Sequence, residues 1–420
     1  MKKIHLLLFA SELHDQVSVL GSRAPGLEFL RQQADRQHAE LRISRIEDYE
    51  GGLQEDELAL AFIGTGGAEE LFLRYRDRLP RPWTLLSDGL HNSLAATQEI
   101  VSWISQNQGE ALHLHGFESL TLERMALILQ FQQAFAWLSE RNIGLIGGVA
   151  DWLIASHVDY EALQRKWGFQ TQPIDISVLE HGYRAFKNGV KTHARNLAQI
   201  MTKGACKVVE PNQERMEDAA HLYLALSELC TLYQLNALTI RCFDLLKSQA
   251  ATPCMALSRL NDQGIISGCE GDFPALWSML LVKALTRQPS FMANPSDMQP
   301  ANSTLDLAHC TIPLAMCERY SLRDHFESRL SVGLQGELPP GTYTLFKCGG
   351  PHLDRYFVTE ADWVSTEHLP QRCRTQLRLR THRPVTELIS AHLGNHVVVV
   401  KGAHKNCLDA FLQLFGLKGL

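Results

Sequence analysis

Ile265-Ile266-Ser267-Gly268-Cys269-Glu270-Gly271-Asp272-Phe273-Pro274 is the stretch on which the fold turns. It opens as a short apolar run that reads as a buried strand. It closes with Asp272 placed as a helix N-cap and Pro274 in the first turn of a helix predicted to reach about Leu285. Glu270 therefore stands where a strand hands over to a helix. In an open parallel α/β sheet that position is the carboxyl end of a strand, where such sheets place their ligands.

Four further segments carry groups of the same chemistry. Asn294 lies in Phe291-Met292-Ala293-Asn294-Pro295, His309 in Leu307-Ala308-His309-Cys310, His396 in Gly394-Asn395-His396 and His404 in Gly402-Ala403-His404. A carboxylate, an amide oxygen and imidazoles together suit a borderline-hard divalent metal such as Mn²⁺, Co²⁺ or Zn²⁺. A metal so held polarises carbonyl and hydroxyl oxygens of a substrate. Taken singly, each position also has a plainer reading. Glu270 reads as a capping or solvated residue, His309 and His396 as hydrogen-bonded structural histidines, and Asn294 before Pro295 as turn chemistry.

Outward from this core, the first 150 residues alternate strand-like and helix-like segments. Strands are expected at Ile4–Ala10, Leu41–Ile46, Leu58–Ile63, Trp83–Ser87 and Ala111–His115. Helices are expected at Gly26–Ala39, Ala68–Leu79, Ser93–Asn107 and Leu120–Arg141. That alternation implies a parallel sheet wrapped by helices. A second α/β unit begins near the buried strand at Ile143–Gly148 and continues through an amphipathic segment at Met216–Leu235 and a strand at Ala237–Phe243. After about residue 298, strand signals and turns dominate, with Pro339-Pro340-Gly341 reading as a hairpin turn. The expected architecture is two Rossmann-like parallel-sheet α/β domains, 1–142 and 143–297, followed by an antiparallel β-barrel-like domain, 298–420.

Composition bounds the function. The chain has 420 residues, 45% hydrophobic and 20% charged, with a formal net charge of −6. That balance argues against a nucleic-acid partner bound through a broad basic face. None of the ten cysteines forms a CxxC pair, so a zinc ribbon or thioredoxin-like motif is not expected. Reduced thiols in a cytoplasmic protein are the simplest reading. The N-terminal apolar run reads as a first strand rather than a signal peptide, and no stretch has the length of a membrane span. Gly64-Thr65-Gly66-Gly67 offers an anion cradle but lacks the GxGxxG spacing and acidic partner of a dinucleotide site.

In combination the motifs are recognisable. From about Thr239 to the end the chain resembles the L-fucose isomerase / L-arabinose isomerase superfamily. The resemblance is carried by Ser267–Asp272, Phe291–Pro295, Leu307–Cys310, His325-Phe326-Glu327-Ser328, Cys373-Arg374-Thr375-Gln376 and Gly394–His396. It implies a metal-dependent interconversion of an aldose and its ketose, with manganese the usual cofactor. It implies Glu270 as metal ligand and acid/base, and His396 and His309 as metal ligands. Asn395 would be a substrate contact. On its own residues the polar cluster Arg323–Ser328, with His325, reads either as a substrate-contacting strand or as a solvated salt-bridge face. Asn294 falls where the family usually places a second acidic ligand. An amide oxygen ligates but cannot act as a general base near neutral pH. Glu270 would then carry more of the proton transfer, helped by a metal-bound water, by Asp272 or by a histidine. Arg241, Arg323, Lys347 and Arg374 are candidates for an anionic substituent, as on a sulfonated hexose, and equally for structural ion pairs. The resemblance further implies a homo-oligomer, trimer or hexamer, with sites near subunit boundaries. Two other readings of the scaffold are a non-catalytic sugar-binding or regulatory protein and a metal-dependent sugar hydrolase or aldolase.

Overall fold

The structure is a computed structural model that describes residues 1–107, 109–189 and 191–420. Its packing divides it into two compact units, Met1–Trp137 with Leu414–Gly416, and Leu138–Gln413 with Leu417–Leu420.

In the first unit, β1 (Lys3–Phe9), β2 (Glu40–Arg45), β3 (Glu57–Ile63), β4 (Trp83–Ser87) and β5 (Ala111–His115) form a parallel sheet of order β2-β1-β3-β4-β5. Alternate residues of β1 and β3 face opposite sides. Ile4, Leu6, Leu8, Leu58, Leu60 and Phe62 pack against Leu27 and Leu30. Leu7, Phe9, Ala59, Ala61 and Ile63 pack against Phe72, Ile100 and Ile104. Burial on both faces is why these strands read as continuous apolar runs. The Gly64–Gly67 loop follows β3. Its Gly64 and Gly66 amides donate to the Phe9 and His91 carbonyls.

The second unit begins with β6 (Asn142–Ile146) and β7 (Gln170–Ile174). A short β8 (Lys207–Val208) follows, then β9 (Ala237–Ile240) and β10 (Ile266–Cys269). β6, β7, β9 and β10 form a four-stranded parallel sheet of order β10-β9-β6-β7. Pro173 is tolerated because β7 is an edge strand. β10 runs into the helix Phe273–Thr286, whose N-cap is Asp272 and whose first turn holds Pro274.

The remaining strands are β11 (Phe291–Gln299), β12 (Thr304–His309), β13 (Arg319–Arg323), β14 (Gly333–Glu337), β15 (Thr342–Gly349), β16 (Arg355–Thr366), β17 (Thr375–Thr381), β18 (Val397–Lys401) and β19 (Lys418–Gly419). Six of them close a ring, β15-β18-β11-β12-β17-β16, completed by the antiparallel β15–β16 pairing, with β19 added in parallel at the start of β16. Closure leaves no edge within the ring to be satisfied by another chain. The fold is thus parallel-sheet α/β layers and a C-terminal closed six-stranded antiparallel barrel. Phe291, Ala293, Leu305, Leu307, Tyr343, Leu345, Leu377, Leu379, Val397 and Val399 are among the residues of its core. Between β12 and β17 a charged triad adds to the ladder. Asp306 accepts hydrogen bonds from Arg378 Nε at 2.6 Å and from Arg372 Nη1 at 2.6 Å.

One turn differs from expectation. Pro339-Pro340-Gly341 does not close a hairpin, because β14 pairs with β13 in a small sheet of order β14-β13-β8, while β15 pairs with β16 and β18. The two prolines lack N–H donors and suit a segment that leaves one sheet for another.

Candidate metal centre

The local backbone at the end of β10 decides where Glu270 points. Glu270 has φ +61 and Gly271 φ +71, two successive left-handed residues. The turn is held by Gly271 N donating to Ile240 O at 3.0 Å, by Asp272 N donating to Cys269 O at 3.1 Å, and by Ala150 N donating to Glu270 O at 3.1 Å. A Cβ on Gly271 would lie 2.1 Å from Gly148 O, so the glycine is required by close approach as well as by conformation. A glutamate in this backbone region costs of order 1–3 kcal/mol, which the surrounding contacts must offset.

The barrel supplies the other groups in register. Asn294 of β11 stands opposite Ala308 of β12, and Ala293 stands opposite Val397 of β18. Asn294 is therefore flanked by the end of β12, where His309 lies, and by the start of β18, just after His396. Three sequence segments more than a hundred residues apart at their extremes thus reach one barrel mouth. Glu270, His309 and His396 offer ligand atoms that all lie within 4.8 Å of one another. His396 Nε2 is 3.6 Å, and His309 Nε2 4.0 Å, from Glu270 Oε1. The two imidazole rings meet edge to face at 5.3 Å.

Each imidazole is oriented from behind. His396 Nδ1 donates to Asp272 Oδ2 at 2.8 Å, and His309 Nδ1 shares a hydrogen bond of 2.9 Å with the Thr311 hydroxyl. With Nδ1 as the donor in both rings, each Nε2 lone pair is left for a ligand. His396 Nε2 and Asn294 Oδ1 are buried without a hydrogen-bond partner. Buried polar atoms are rarely left so. An orphaned imidazole nitrogen, an orphaned amide oxygen, a second imidazole and a carboxylate form the donor set that a divalent metal takes, and the residues present fit one.

The electrostatics agree. Burial works to raise the Glu270 pKa, but contact with His396, the charge of His309 and the Trp152 N–H outweigh it and hold Glu270 at about 2. Burial and the neighbouring His396 lower His309 to about 4, which leaves it neutral at pH 7. Burial also opposes charge on His396, yet Asp272 and Glu270 together raise its pKa above the ordinary value.

The other sequence candidates separate clearly. Asp272 is fully buried. Its carboxylate caps Ala275 N at 2.9 Å, accepts from His396, and lies 3.6 Å from the buried Lys347 Nζ. It stands behind His396 rather than on the pocket wall. His325 and Glu327 line the pocket with Glu270, Asn294 and His309. Arg323 is held by Glu210, with Nη2–Oε1 at 2.6 Å, and Arg374 is buried against Asp324. Arg241 pairs with Asp151 and Asp244. Asn395 is exposed beside His396, and His404 Nε2 contacts the Lys401 carbonyl at 2.9 Å. None of Arg241, Arg323, Lys347, Arg374, Asn395 or His404 is among the pocket-lining residues, nor is His396, which joins the cluster through its Nε2, 3.6 Å from Glu270 Oε1.

Sequence reading missed Trp152. Its indole N–H donates to Glu270 Oε2 at 2.7 Å, and its ring meets Phe243 edge-on at 4.9 Å. A tryptophan in a loop after a glycine-ended strand carries no local signal of that contact, which depends on a partner 118 residues away.

No protein-family model matches the chain. Comparison with characterised proteins finds relatives named sulfoquinovose isomerase. That of Alkalicoccus urumqiensis is 23% identical over 315 residues, 71% of this chain and 69% of the relative. That of Priestia megaterium is 23% identical over 301 residues, 68% of this chain and 65% of the relative. That of Clostridium sp. (strain MSTE9) is 33% identical over 90 residues, 21% of this chain. The matched region thus spans about two thirds of the length of the first two of these relatives. Parallel-sheet layers, a closed antiparallel barrel and a Glu–His–His cluster that could hold a metal ion make this an α/β protein with a candidate metal site. Over about 70% of its length the chain is homologous to sulfoquinovose isomerases, which are aldose–ketose isomerases of the L-fucose/L-arabinose isomerase-like superfamily.

Proposed function

We propose that the protein is a metal-dependent aldose–ketose isomerase acting on a sulfonated hexose. The observation that carries this reading is the convergence of Glu270, His309 and His396 on one point, beside an orphaned Asn294 oxygen, in a chain homologous to sulfoquinovose isomerases. Glu270, His309, His396 and Asn294 would hold the metal, with Mn²⁺ the expected ion and Co²⁺ or Zn²⁺ alternatives. When bound, the ion supplies charge stabilisation to the oxygens on C1 and C2 of the sugar.

The residues of the chain do the rest. Glu270 is the base that takes a proton from one of the two carbons and returns it to the other, through a cis-enediol. Its carboxylate is kept ionised by His396, His309 and the Trp152 indole, and so is ready to accept. Asp272 acts one step removed, fixing the His396 ring. His325 and Glu327, the other histidine and carboxylate on the pocket wall, would move the proton between the two oxygens. Arg323 and Arg374, tied to Glu210 and Asp324, brace the wall that carries His325 and Glu327. Asn395 contacts substrate only if the segment before β18 turns toward the pocket. The protein would work in the cytoplasm as a homo-oligomer, trimer or hexamer, with its sites near subunit boundaries. Among the described residues no helix is long and apolar enough to cross a membrane.

The test is an isomerase assay of the metal-supplemented protein across aldoses with neutral and anionic groups at C6, run beside Glu270→Gln. The expected result is ketose formation from the sulfonated hexose and none from the variant, with equal circular dichroism. A fully active Glu270→Gln would overturn the assignment of the base.

A further inference from the structure

Five of the ten cysteines line the pocket that Glu270, Asn294 and His309 also line: Cys242, Cys254, Cys269, Cys310 and Cys373. An isomerisation needs no thiol, so the cluster is unexplained by the proposed chemistry. All five are free thiols. Cys310 contacts Cys254 and Cys373, and the remaining two thiols contact each other. Cys269 Sγ donates to Cys242 Sγ at 3.2 Å, closer than two non-bonded sulfurs ordinarily approach. Cys269 ends β10 and Cys242 begins the helix Cys242–Gln249 that follows the neighbouring strand β9. The two strands are paired in register, Cys269 opposite Ile240, so the two thiols are presented from adjacent, hydrogen-bonded strand ends. They are only 6% and 4% exposed, and what exposure they have is toward the pocket.

We propose that Cys242 and Cys269 form an oxidisable dithiol in the wall of the pocket, closed to a disulfide by small hydroperoxides, and that closure switches the metal centre off. Cys242, which accepts the S–H of Cys269, attacks the peroxide. An S–O bond forms, the O–O bond breaks, and the leaving oxygen departs as water or alcohol with the proton of Cys242. Cys269 Sγ then attacks the sulfenic sulfur. The S–S bond forms, the S–O bond breaks, and water leaves carrying the Cys269 proton. Two thiols lose two electrons and the hydroperoxide gains them.

The consequence follows from sequence adjacency. A disulfide sets S–S at about 2.05 Å, so the sulfurs must close by roughly 1 Å. Cys269 precedes Glu270, whose backbone is already held in a left-handed turn by Gly271 and Ala150. Closure would pull on the Glu270 turn, and a displacement of a catalytic group by about 1 Å can cost about a hundredfold in rate. The loss of turnover rests on the isomerase reading; the disulfide and its effect on metal affinity do not.

The experiment uses the full chain, reduced, desalted and exposed to hydrogen peroxide, then alkylated and mapped by peptide mass spectrometry. A Cys242–Cys269 cross-link is expected, together with at least a tenfold weaker Mn²⁺ affinity by calorimetry and about a hundredfold lower turnover, all reversed by dithiothreitol. Cys242→Ala, compared with its own untreated sample, should keep its metal affinity through the same exposure. The inference is overturned if both thiols remain alkylatable after exposure, if the cross-link instead joins Cys254, Cys310 or Cys373, or if Cys242→Ala loses metal affinity as the parent does. Should no aldose be isomerised at all, the mapping and the calorimetry still decide it.

Discussion

Asp272 and Glu270, two residues apart on one turn, grip the same imidazole from opposite sides. His396 Nδ1 is 2.8 Å from Asp272 Oδ2, and His396 Nε2 is 3.6 Å from Glu270 Oε1. One carboxylate faces the pocket and the other is sealed behind the ring, so a single strand-to-helix turn supplies both a candidate ligand and the group that orients its neighbour. This arrangement fixes the expected behaviour of several variants.

Asp272→Asn keeps a side chain able to cap the helix but removes the charge facing His396 and Lys347. Loss of such an orienting carboxylate weakens metal affinity by about 10- to 100-fold. Leaving Lys347 buried without its partner also costs roughly 3 kcal/mol of stability. Metal titration and chemical denaturation of the metal-free protein measure the two effects. An unchanged affinity would contradict the role given to Asp272.

Metal binding should release a proton, with a defined pH dependence. The folded-state pKa of His396 is raised, so in the metal-free protein its charged pairing with Asp272 and Glu270 is fully present below the ordinary histidine value and is lost as pH rises through the raised one. A metal must displace that proton. His309, at about 4, and Glu270, at about 2, carry none to give up near neutrality. At pH 6.5, about the unperturbed histidine pKa, more than half a proton per metal is expected, falling toward zero as pH rises. Calorimetry in two buffers of different ionisation enthalpy reads this number directly. A value of zero at pH 6.5 would mean that His396 is not a ligand.

Trp152→Phe should separate positioning from packing. The ring contact with Phe243 can persist, but the N–H donated to Glu270 Oε2 is lost. That bond helps hold the Glu270 pKa down, so the acid limb of the kcat profile moves to higher pH. A hydrogen bond to a charged acceptor is worth about 1.5–3 kcal/mol, which sets the fall in kcat at about tenfold or more. An identical pH profile would remove Trp152 from the account.

Much of this architecture is legible in the residues. β1, β3 and β4 appear where their apolar runs predict, because a strand buried on both faces leaves an unbroken signal. The β10-to-helix turn is legible from Asp272 and Pro274, whose capping chemistry is local. The candidate metal ligands are legible only as a set, since each alone has an ordinary structural reading. What the sequence hides is long-range. The fate of Pro339-Pro340-Gly341 depends on which strands pair, and Arg323 and Arg374 look free until Glu210 and Asp324 are brought beside them. Trp152 and the Cys242–Cys269 contact likewise exist only through tertiary packing.

The barrel carries its own acid-sensitive element. Arg378 and Arg372 hold the Asp306 carboxyl below its ordinary value against the opposing effect of burial. Its contribution is therefore present above the unfolded carboxylate pKa of about 4 and is lost as pH falls through the lower folded value. Asp306→Asn should cost about 3 kcal/mol at neutral pH, with the difference from the parent shrinking below pH 4. Denaturant melts at pH 7 and pH 3 provide the comparison.

The most direct test of the central claim is isomerisation of sulfoquinovose by the Mn²⁺-loaded protein in D2O, followed by nuclear magnetic resonance. Proton transfer by Glu270 predicts conversion to the ketose, with solvent deuterium entering the aldose at C2 on return and neither event in Glu270→Gln. A fully metal-loaded, folded protein that neither converts the sugar nor exchanges its C2 proton would contradict it.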